Sequence, residues 1–303
     1  MTSEMLPRAS LAVMSEKNIS TVRVEAEDRW AWLILNRPDK RNALNREMMD
    51  SLDAQLTKCE ESSHVRVVLL TGAGRAFCSG LDLESLQQVC QRGYNENYKD
   101  AQVYAKLLTR LYCYPKPVIA VINGAAVAGG CGLVTVCDFA LAANTAQFGY
   151  TEAKIGFVAA VVAPFLLGCV GAKATRDLLL TARLIQATEA KQLGLVNQVV
   201  DSRCLRKHAA GLARSLCENS LQSVPATKQW LAKLTCPDLE RLMSEACELN
   251  TRSRSMEDGV EGVRAFFWRN ECHDGDPPDL EGRDSFPEIY RVTLAIHEAI
   301  EHN

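Results

Sequence analysis

One stretch in the middle of the chain decides the fold: Lys116-Pro-Val-Ile-Ala-Val-Ile-Asn-Gly-Ala-Ala-Val-Ala-Gly-Gly-Cys-Gly-Leu133. Its first part, Pro117 to Ile122, is a short apolar run rich in β-branched residues, which is typical of a buried strand. A glycine turn follows, and the residues from Gly129 to Cys137 suit a helix. A strand, a turn and a helix in immediate succession indicate an α/β fold.

The same alternation continues on both sides of this stretch. Period-two and helical spacings of apolar residues predict, in chain order, a hairpin (Thr21–Glu25 with Trp30–Leu35), a helix after the N-cap candidate Asn45 to about Cys59, a strand (Val65–Leu70), a helix (Tyr104–Tyr112) and a strand (Phe139–Ala142). Past Val200 only helix-like pieces follow: Cys204–Leu216, Thr227–Leu234, Leu239–Leu249 and Met256–Trp268. We therefore expect a polar leader (1–18), an α/β core (19–200), a helical C-terminal region (201–269), and a polar loop with a terminal helix (270–303).

Composition excludes several classes of protein. The chain has 303 residues, 47% of them hydrophobic, and a net charge of -3, which gives no basic excess for holding nucleic acid. No apolar run reaches the roughly 18 residues of a membrane span, and the N-terminus resembles neither a signal nor a transit peptide, so a cytoplasmic protein with no membrane partner is expected. The 12 cysteines are scattered without a C-x-x-C pair, which predicts reduced thiols and no metal site.

Three glycine-bearing turns follow predicted strands, at Gly72–Leu81, Asn123–Gly130 and Phe148–Glu152. Glycine lets a backbone approach a ligand closely, and a helix that starts at Gly129 leaves its first N–H groups without partners. Neither a dinucleotide-binding nor a Walker pattern fits. Pattern alone favours structural turns over an active site.

Two of these turns resemble those of a known family. Phe77-Cys-Ser-Gly-Leu-Asp-Leu83 is similar to the first glycine turn of the crotonase (enoyl-CoA hydratase/isomerase) superfamily, and Lys116–Gly124 with Ala128-Gly-Gly130 is similar to the second. Further similar segments are Asn36-Arg-Pro-Asp-Lys-Arg-Asn-Ala-Leu44, Ala146-Gln-Phe-Gly149, Leu180-Thr-Ala-Arg-Leu-Ile-Gln-Ala-Thr-Glu-Ala190 and Gly194-Leu-Val-Asn197. The resemblance covers about Ser20 to Trp268, with the segments in order.

The resemblance implies a crotonase-type spiral of repeated ββα units, a helical C-terminal trimerisation region, and a homotrimer or homohexamer. It implies an acyl-CoA thioester substrate, with coenzyme A as part of the substrate and no separate cofactor. Two backbone N–H groups, assigned by motif position to Cys78 and Gly129, would stabilise an enolate-like oxyanion. The remaining residues assigned to substrate binding are Lys40, Arg41, Ala43, Ser79, Gly80, Leu81, Gly130 and Gly132.

The acid–base residues match the family only in part. Hydratases of this family usually carry two glutamates, and here Gly132 occupies the first position while Glu152 occupies the second. The apolar neighbours of Glu152 in sequence predict a raised pKa, which suits proton transfer. A single carboxylate can add water to a 2-enoyl-CoA or shift a 3-enoyl-CoA double bond, and we rank hydration first on the similarity of the surrounding sequence.

The sequence is also compatible with other functions of the chain and of single residues. The chain could be a non-catalytic acyl-CoA-binding or scaffold member of the family. A nucleophilic Cys78 would need a base such as His64, and nothing in the sequence brings His64 to the turn. Asp82 and Asp138 are expected to hold turns, and Phe266, Phe267 and Trp268 to pack at a trimer interface or as a lid.

Overall fold

A computed structural model describes residues 20–89 and 91–271 of the chain, with side chains up to residue 267. The strands are, in chain order, β1 (Val22–Glu27), β2 (Trp30–Leu35), β3 (Val67–Gly72), β4 (Val118–Ile122), β5 (Ala126–Val127), β6 (Phe139–Ala143), β7 (Gln147–Gly149), β8 (Ile185–Gln186) and β9 (Gln198–Val200). The α-helices are α1 (Arg46–Glu61), α2 (Leu83–Val89), α3 (Tyr94–Tyr112), α4 (Gly129–Thr135), α5 (Ala163–Thr181), α6 (Ala187–Gln192), α7 (Leu205–Cys217), α8 (Ser223–Thr235), α9 (Leu239–Ser255) and α10 (Glu257–Glu271).

The strands form two sheets. The larger has six strands in the order β1-β2-β3-β4-β6-β9, and the smaller has three in the order β5-β7-β8. In the larger sheet β1 and β2 form the predicted antiparallel hairpin, and every later neighbour is parallel. Parallel neighbours need crossover connections, which the intervening helices supply.

A spiral of ββα units is visible in how the two sheets connect. After β2, β3, β4 and β6 the chain adds a short extended segment to a second layer, then turns into a helix. Isolated parallel bridges join Leu44 to Leu81 and Cys78 to Ala126, and β5 pairs with β7 in the same direction. The expected α/β spiral is thereby confirmed, and the second layer brings the glycine turns side by side.

Local sequence explains the first helix well. The Asn45 side chain accepts a hydrogen bond from Met48 N at 2.9 Å, so Asn45 is the N-cap that the sequence predicts. Met48, Leu52 and Leu56 are buried on one face of α1. This face covers the main core between the sheet and the surrounding helices.

Several predicted boundaries are corrected, among them the start of α8, which lies at Ser223, and the end of α9, which lies at Ser255. The strand expected from Val65 begins its sheet pairing at Val67. The helix expected from Tyr104 begins ten residues earlier, at Tyr94, after the N-cap Gly93. Its first turns carry mostly polar residues, so apolar spacing could not reveal them.

The C-terminal helices cover the sheet and one end of the spiral. Leu205, Ala209 and Ala213 of α7 pack against Trp30 and Trp32 of the sheet. Helix α9 lies along α3, and α10 packs on α2 and on a short 3-10 helix, Glu152–Ile155. No helix among the described residues combines the length and apolar character that a membrane crossing needs.

The two end segments of the expected division fall mostly outside this description. The leader (1–18) lies wholly outside the described residues, and so does the tail from residue 272 onward. The predicted polar loop begins at residue 270, but α10 continues through Glu271.

Candidate active site

The first glycine turn lies directly against the segment assigned to coenzyme A. Ser79 N donates to Arg41 O at 3.1 Å, and Leu44 N donates to Gly80 O at 2.7 Å. Lys40 is exposed, with Nζ 3.7 Å from Glu84 Oε1. The structure therefore brings together two segments that are about 40 residues apart in sequence.

Three polar side chains hold this arrangement: the buried Asn42 and Asp82 and the mostly buried Arg37. Neither Asn42 nor Arg37 is among the predicted site residues. Asn42 is fully buried, and its Nδ2 donates to Ala73 O and Ala76 O, each at 2.8 Å. The guanidinium of Arg37 lies 2.6 Å from Asp82 Oδ2, and it donates to Ala43 O at 2.7 Å. The sequence signal for Asn42 is an asparagine directly after the basic pair Lys40-Arg41, because asparagine tolerates the positive φ of 56° that the structure shows there.

The two aspartates assigned to turns do hold turns. Asp82 Oδ1 accepts from Glu84 N at 3.0 Å, at the start of α2. Asp138 Oδ2 accepts from Val118 N at 2.7 Å and lies 2.6 Å from Nζ of Lys228, a buried lysine of α8. Both carboxylates thus have structural partners.

The second glycine turn starts α4 in an unusual backbone conformation. Ala128 has φ 48° and ψ -124°, a sterically costly combination for a residue with a side chain. Cys131 N and Gly132 N both donate to Ala128 O, at 2.9 and 3.1 Å, whereas the Gly129 N–H has no acceptor in the described part of the chain. The strained residue therefore orients the Ala128–Gly129 peptide toward the first turn.

Close backbone contact joins the two turns. A Cβ on Gly130 would lie 2.2 Å from Cys78 O. Gly80 has φ 87°, and a Cβ built on it would lie 2.9 Å from Ala128 Cβ and 3.4 Å from Gly129 N. Only glycine fits at these positions, so the Gly80–Leu81 backbone lies directly beside Gly129 N.

The assignment of Cys78 as an oxyanion donor is corrected. Cys78 N already donates to Ala125 O at 3.1 Å, and Cys78 O accepts from Val127 N at 3.0 Å, because residue 78 bridges to the β5 segment. The N–H of Leu81, three residues later, has no acceptor among residues 20–89 and 91–271. The N–H of Gly80, between them, faces the Cys78 thiol. Leu81 therefore offers the free donor that follows Cys78 in this turn, although it was predicted only as a substrate-binding residue.

The Cys78 thiol is also unsuited to nucleophilic chemistry. The residue is fully buried, and burial raises the thiol pKa to about 12. His64 Nε2 lies 2.6 Å from Asp28 O, at the β1–β2 turn. These contacts argue against a Cys–His pair.

Glu152 begins the 3-10 helix that follows β7. Its residue is only partly exposed, and its Oε2 is buried without a hydrogen-bond partner among the described groups. Burial raises the pKa of the carboxyl from 4.5 to about 7, against a smaller opposite effect of its own backbone N–H. The predicted apolar setting of a proton-transfer carboxyl is thus present.

Strand pairing places Glu152 beside the second turn. Ala128 N donates to Gly149 O at 2.7 Å, so the ends of β5 and β7 lie together, with Gly129 two residues past one end and Glu152 three residues past the other. Helix α10 packs closely on this loop. A Cβ on Gly156 would lie 2.5 Å from Asp258 O, and one on Gly262 would lie 2.5 Å from Ile155 O.

A hydrophobic cluster closes over the loop. Phe266 and Phe267 of α10 pack against buried Leu86, Val89, Phe157 and Val263, with Leu81 and Ile155 at the edge. Their expected role as lid packing fits this arrangement, and the side chain of Trp268 lies outside the described residues. In the part of the chain that the structure describes, no three His, Cys, Asp or Glu side chains form a metal-binding group.

Tyr104, which was predicted only as the first residue of a helix, also lies in this region. Tyr104 of α3 donates its hydroxyl proton to Gly129 O at 2.7 Å. The residue is partly exposed. Burial and the charge of Glu152 raise its pKa well above 10, so the phenol is protonated at neutral pH.

A ββα spiral with two abutting glycine turns defines the class: a protein of the crotonase superfamily, a family that acts on acyl-CoA thioesters. The family described as "Enoyl-CoA hydratase/isomerase" matches residues 26–274, and the chain belongs to this family.

Similarity to individual proteins agrees with this membership. A Thermus thermophilus protein named "Putative enoyl-CoA hydratase" is 44% identical over 237 residues, with 78% of this chain and 94% of that protein covered. A short-chain-enoyl-CoA hydratase of Clostridium acetobutylicum is 31% identical, with 82% and 95% covered. The crystal structure of an enoyl-CoA hydratase/isomerase from Xanthobacter autotrophicus superposes with a TM-score of 0.77 at 27% identity, covering 92% of this chain and 98% of that one.

Proposed function

We propose that the protein adds water across the double bond of a 2-enoyl-CoA, with Glu152 as the acid–base group. One observation carries the proposal: the Oε2 of Glu152 is buried and unpartnered in a loop whose preceding strand pairs with the strand that leads to Gly129. The names of the similar hydratases favour this reaction over others of the family.

The N–H groups of Leu81 and Gly129 form the oxyanion site in this proposal. Both lack acceptors within the described fold, and the close approach of Gly80 to Gly129 N supports their acting together on one oxygen. Donors fixed before the reaction stabilise charge that develops on the thioester oxygen without reorganisation. Loss of one such donor typically costs roughly 100- to 1000-fold in kcat.

One carboxylate acts first as the base and then as the acid in this mechanism. Ionised Glu152 takes a proton from water while the water oxygen bonds to C3, and the C2–C3 π electrons move onto the thioester oxygen as an enolate. Protonated Glu152 then returns the proton to C2 as the enolate collapses to the thioester. The water is consumed, and Glu152 ends as it began.

Isomerisation of a 3-enoyl-CoA is the second candidate, and one observation favours it. Gly132 supplies no second carboxylate, and a single base suffices to remove a proton from C2 and return one at C4. The same oxyanion site would serve both reactions.

The masses of the reaction products distinguish hydration from isomerisation. Purified protein is incubated with crotonyl-CoA and, separately, with a 3-enoyl-CoA, and the products are identified by mass. A gain of one water from crotonyl-CoA supports hydration, whereas conversion of the 3-enoyl substrate without a mass change supports isomerisation alone.

Glu152→Gln should lower either activity by roughly two to four orders of magnitude, while the exposed Glu61→Gln should not. Turnover that survives Glu152→Gln would refute the site assignment, and acyl-CoA binding without turnover in the unmodified protein would favour the scaffold alternative.

We extend the proposal to a homotrimer or homohexamer, since the family resemblance implies one. Exposed apolar side chains on α8, at Trp230, Leu231 and Leu234, support an intersubunit contact there. A cytoplasmic location, and a reaction that needs no cofactor beyond the coenzyme A of the substrate, stay predictions. Size-exclusion chromatography with light scattering tests the oligomeric state.

A further inference from the structure

The position of the missing first glutamate is filled from another helix. A Cβ built on Gly132 would lie 2.1 Å from the hydroxyl oxygen of Tyr104 and 3.3 Å from its Cζ. Any side chain at position 132 would therefore start inside the volume of the phenol. A side chain at position 132 and the phenol of Tyr104 therefore exclude each other, which explains why glycine rather than glutamate occupies that position.

The hydrogen bonding of Tyr104 fixes what its oxygen can still do. The hydroxyl donates its single proton to Gly129 O at 2.7 Å, which leaves the lone pairs of the oxygen as acceptors. A Cβ on Gly129 would lie 3.5 Å from this same oxygen, so the phenol lies against the turn whose N–H faces the thioester in the proposed function. Gly129 thus links the phenol to the oxyanion donor.

Charge complements this geometry. Burial raises the pKa of Tyr104 most, and the negative charge of Glu152 raises it further, so the carboxylate and the phenol are close enough to interact electrostatically. A protonated phenol does not accept a proton at neutral pH. It can orient a water molecule without competing with Glu152 as the base.

From this geometry we propose that Tyr104 is a water-positioning residue: its hydroxyl oxygen accepts a hydrogen bond from the water that Glu152 deprotonates. This proposal rests on the proposed hydration. One water hydrogen is directed to Tyr104 Oη and the other to Glu152, so the water oxygen keeps a lone pair for C3. The phenol thereby supplies the second anchor that a lone carboxylate lacks.

The test compares two reactions of one site. Hydration of crotonyl-CoA needs a positioned water, whereas exchange of the C2 hydrogens of butyryl-CoA with D2O needs only the oxyanion site and Glu152. Tyr104→Phe should lower kcat for hydration by roughly tenfold or more, the effect of losing one hydrogen bond in a transition state. KM and the rate of C2 exchange should stay within about twofold.

The matched control is Tyr98→Phe, which removes a tyrosine hydroxyl from the same helix in the groove between α3 and α9. It should change neither reaction. Retained C2 exchange in Tyr104→Phe also reports an intact fold and oxyanion site.

Two results would overturn the role of Tyr104 while leaving hydration in place. Equal loss of hydration and exchange would mean that the phenol only holds the Gly129 peptide, and unchanged hydration would mean that it does not hold the water. An unmodified protein that exchanges C2 hydrogens but forms no 3-hydroxyacyl-CoA would instead refute the proposed hydration, and the role of Tyr104 with it.

Discussion

Burying Glu152 should lower the stability of the protein at the pH where it works. The carboxyl pKa is 4.5 in its ordinary state and about 7 in the folded chain, so its ionisation is about 3 kcal/mol harder after folding. Between these two pH values the native state binds more protons than the unfolded state, and stability falls as pH rises. The cost is complete above pH 7 and absent well below pH 4.5.

Glu152→Gln removes the ionisation and therefore the cost. The free energy of unfolding of this variant, minus that of the unmodified protein, should be about 2.5 kcal/mol larger at pH 8 than at pH 5, because the variant avoids the cost of ionising a buried carboxyl. Both proteins are unfolded in urea at these pH values and at one fixed protein concentration, because an oligomer gains apparent stability with concentration. The exposed Glu61→Gln serves as the control and should show no comparable change with pH.

The sign of the effect is what tests the reasoning. A stability difference that is constant with pH, or larger at pH 5 than at pH 8, would show that the carboxyl is not held in a desolvating pocket. A variant that loses activity yet gains stability is the result expected where function imposes a cost on the fold.

Four further outcomes follow from the site. The kcat/KM of the enoyl-CoA reaction should rise with pH through an apparent pKa near 7 in a pH series, because Glu152 acts as the carboxylate. Gly130→Ala should destabilise the fold by roughly 1–3 kcal/mol in urea, since its Cβ would lie 2.2 Å from a carbonyl oxygen. Cys78→Ala should keep kcat within a few-fold in the same assay, because the thiol takes no part in the reaction. Asp82→Asn should cost about 3–5 kcal/mol in urea by breaking a mostly buried ion pair with Arg37, and it should raise KM for the acyl-CoA.

Residue periodicity and capping patterns predicted the helices and strands whose formation depends mainly on residues near one another in sequence. The hairpin, the Asn45 cap and the strand at Val118–Ile122 follow from residue periodicity and capping chemistry. The first half of α3 was missed because its residues from Tyr94 onward are polar, and its helix is stabilised by tertiary packing on α9. The buried face of that half carries Asn97 and Ala101, a polar and a small side chain, so its hydrophobic periodicity is weak.

The segments that form the candidate site could be predicted from the sequence, but the contacts between those segments could not. Motif position correctly identified the two turns as neighbours but assigned the first donor to Cys78, whose N–H is used in pairing with the β5 segment. Which of several successive N–H groups is free depends on the path of the partner strand, and sequence spacing does not fix that path. Tyr104 was hidden for the same reason, since only the folded chain brings α3 against Gly132.

A phenol in place of a second glutamate has an electrostatic consequence for Glu152. A carboxylate at position 132 would add like-charge repulsion to desolvation and raise the pKa of Glu152 further. With a neutral hydroxyl there, burial is the dominant cause of the raised pKa, which stays near 7. Near neutral pH a substantial fraction of Glu152 is then ionised and ready to take a proton, while its conjugate acid is still strong enough to return one to C2. One carboxylate and one phenol can thus do the work of two carboxylates, provided that the phenol holds the water.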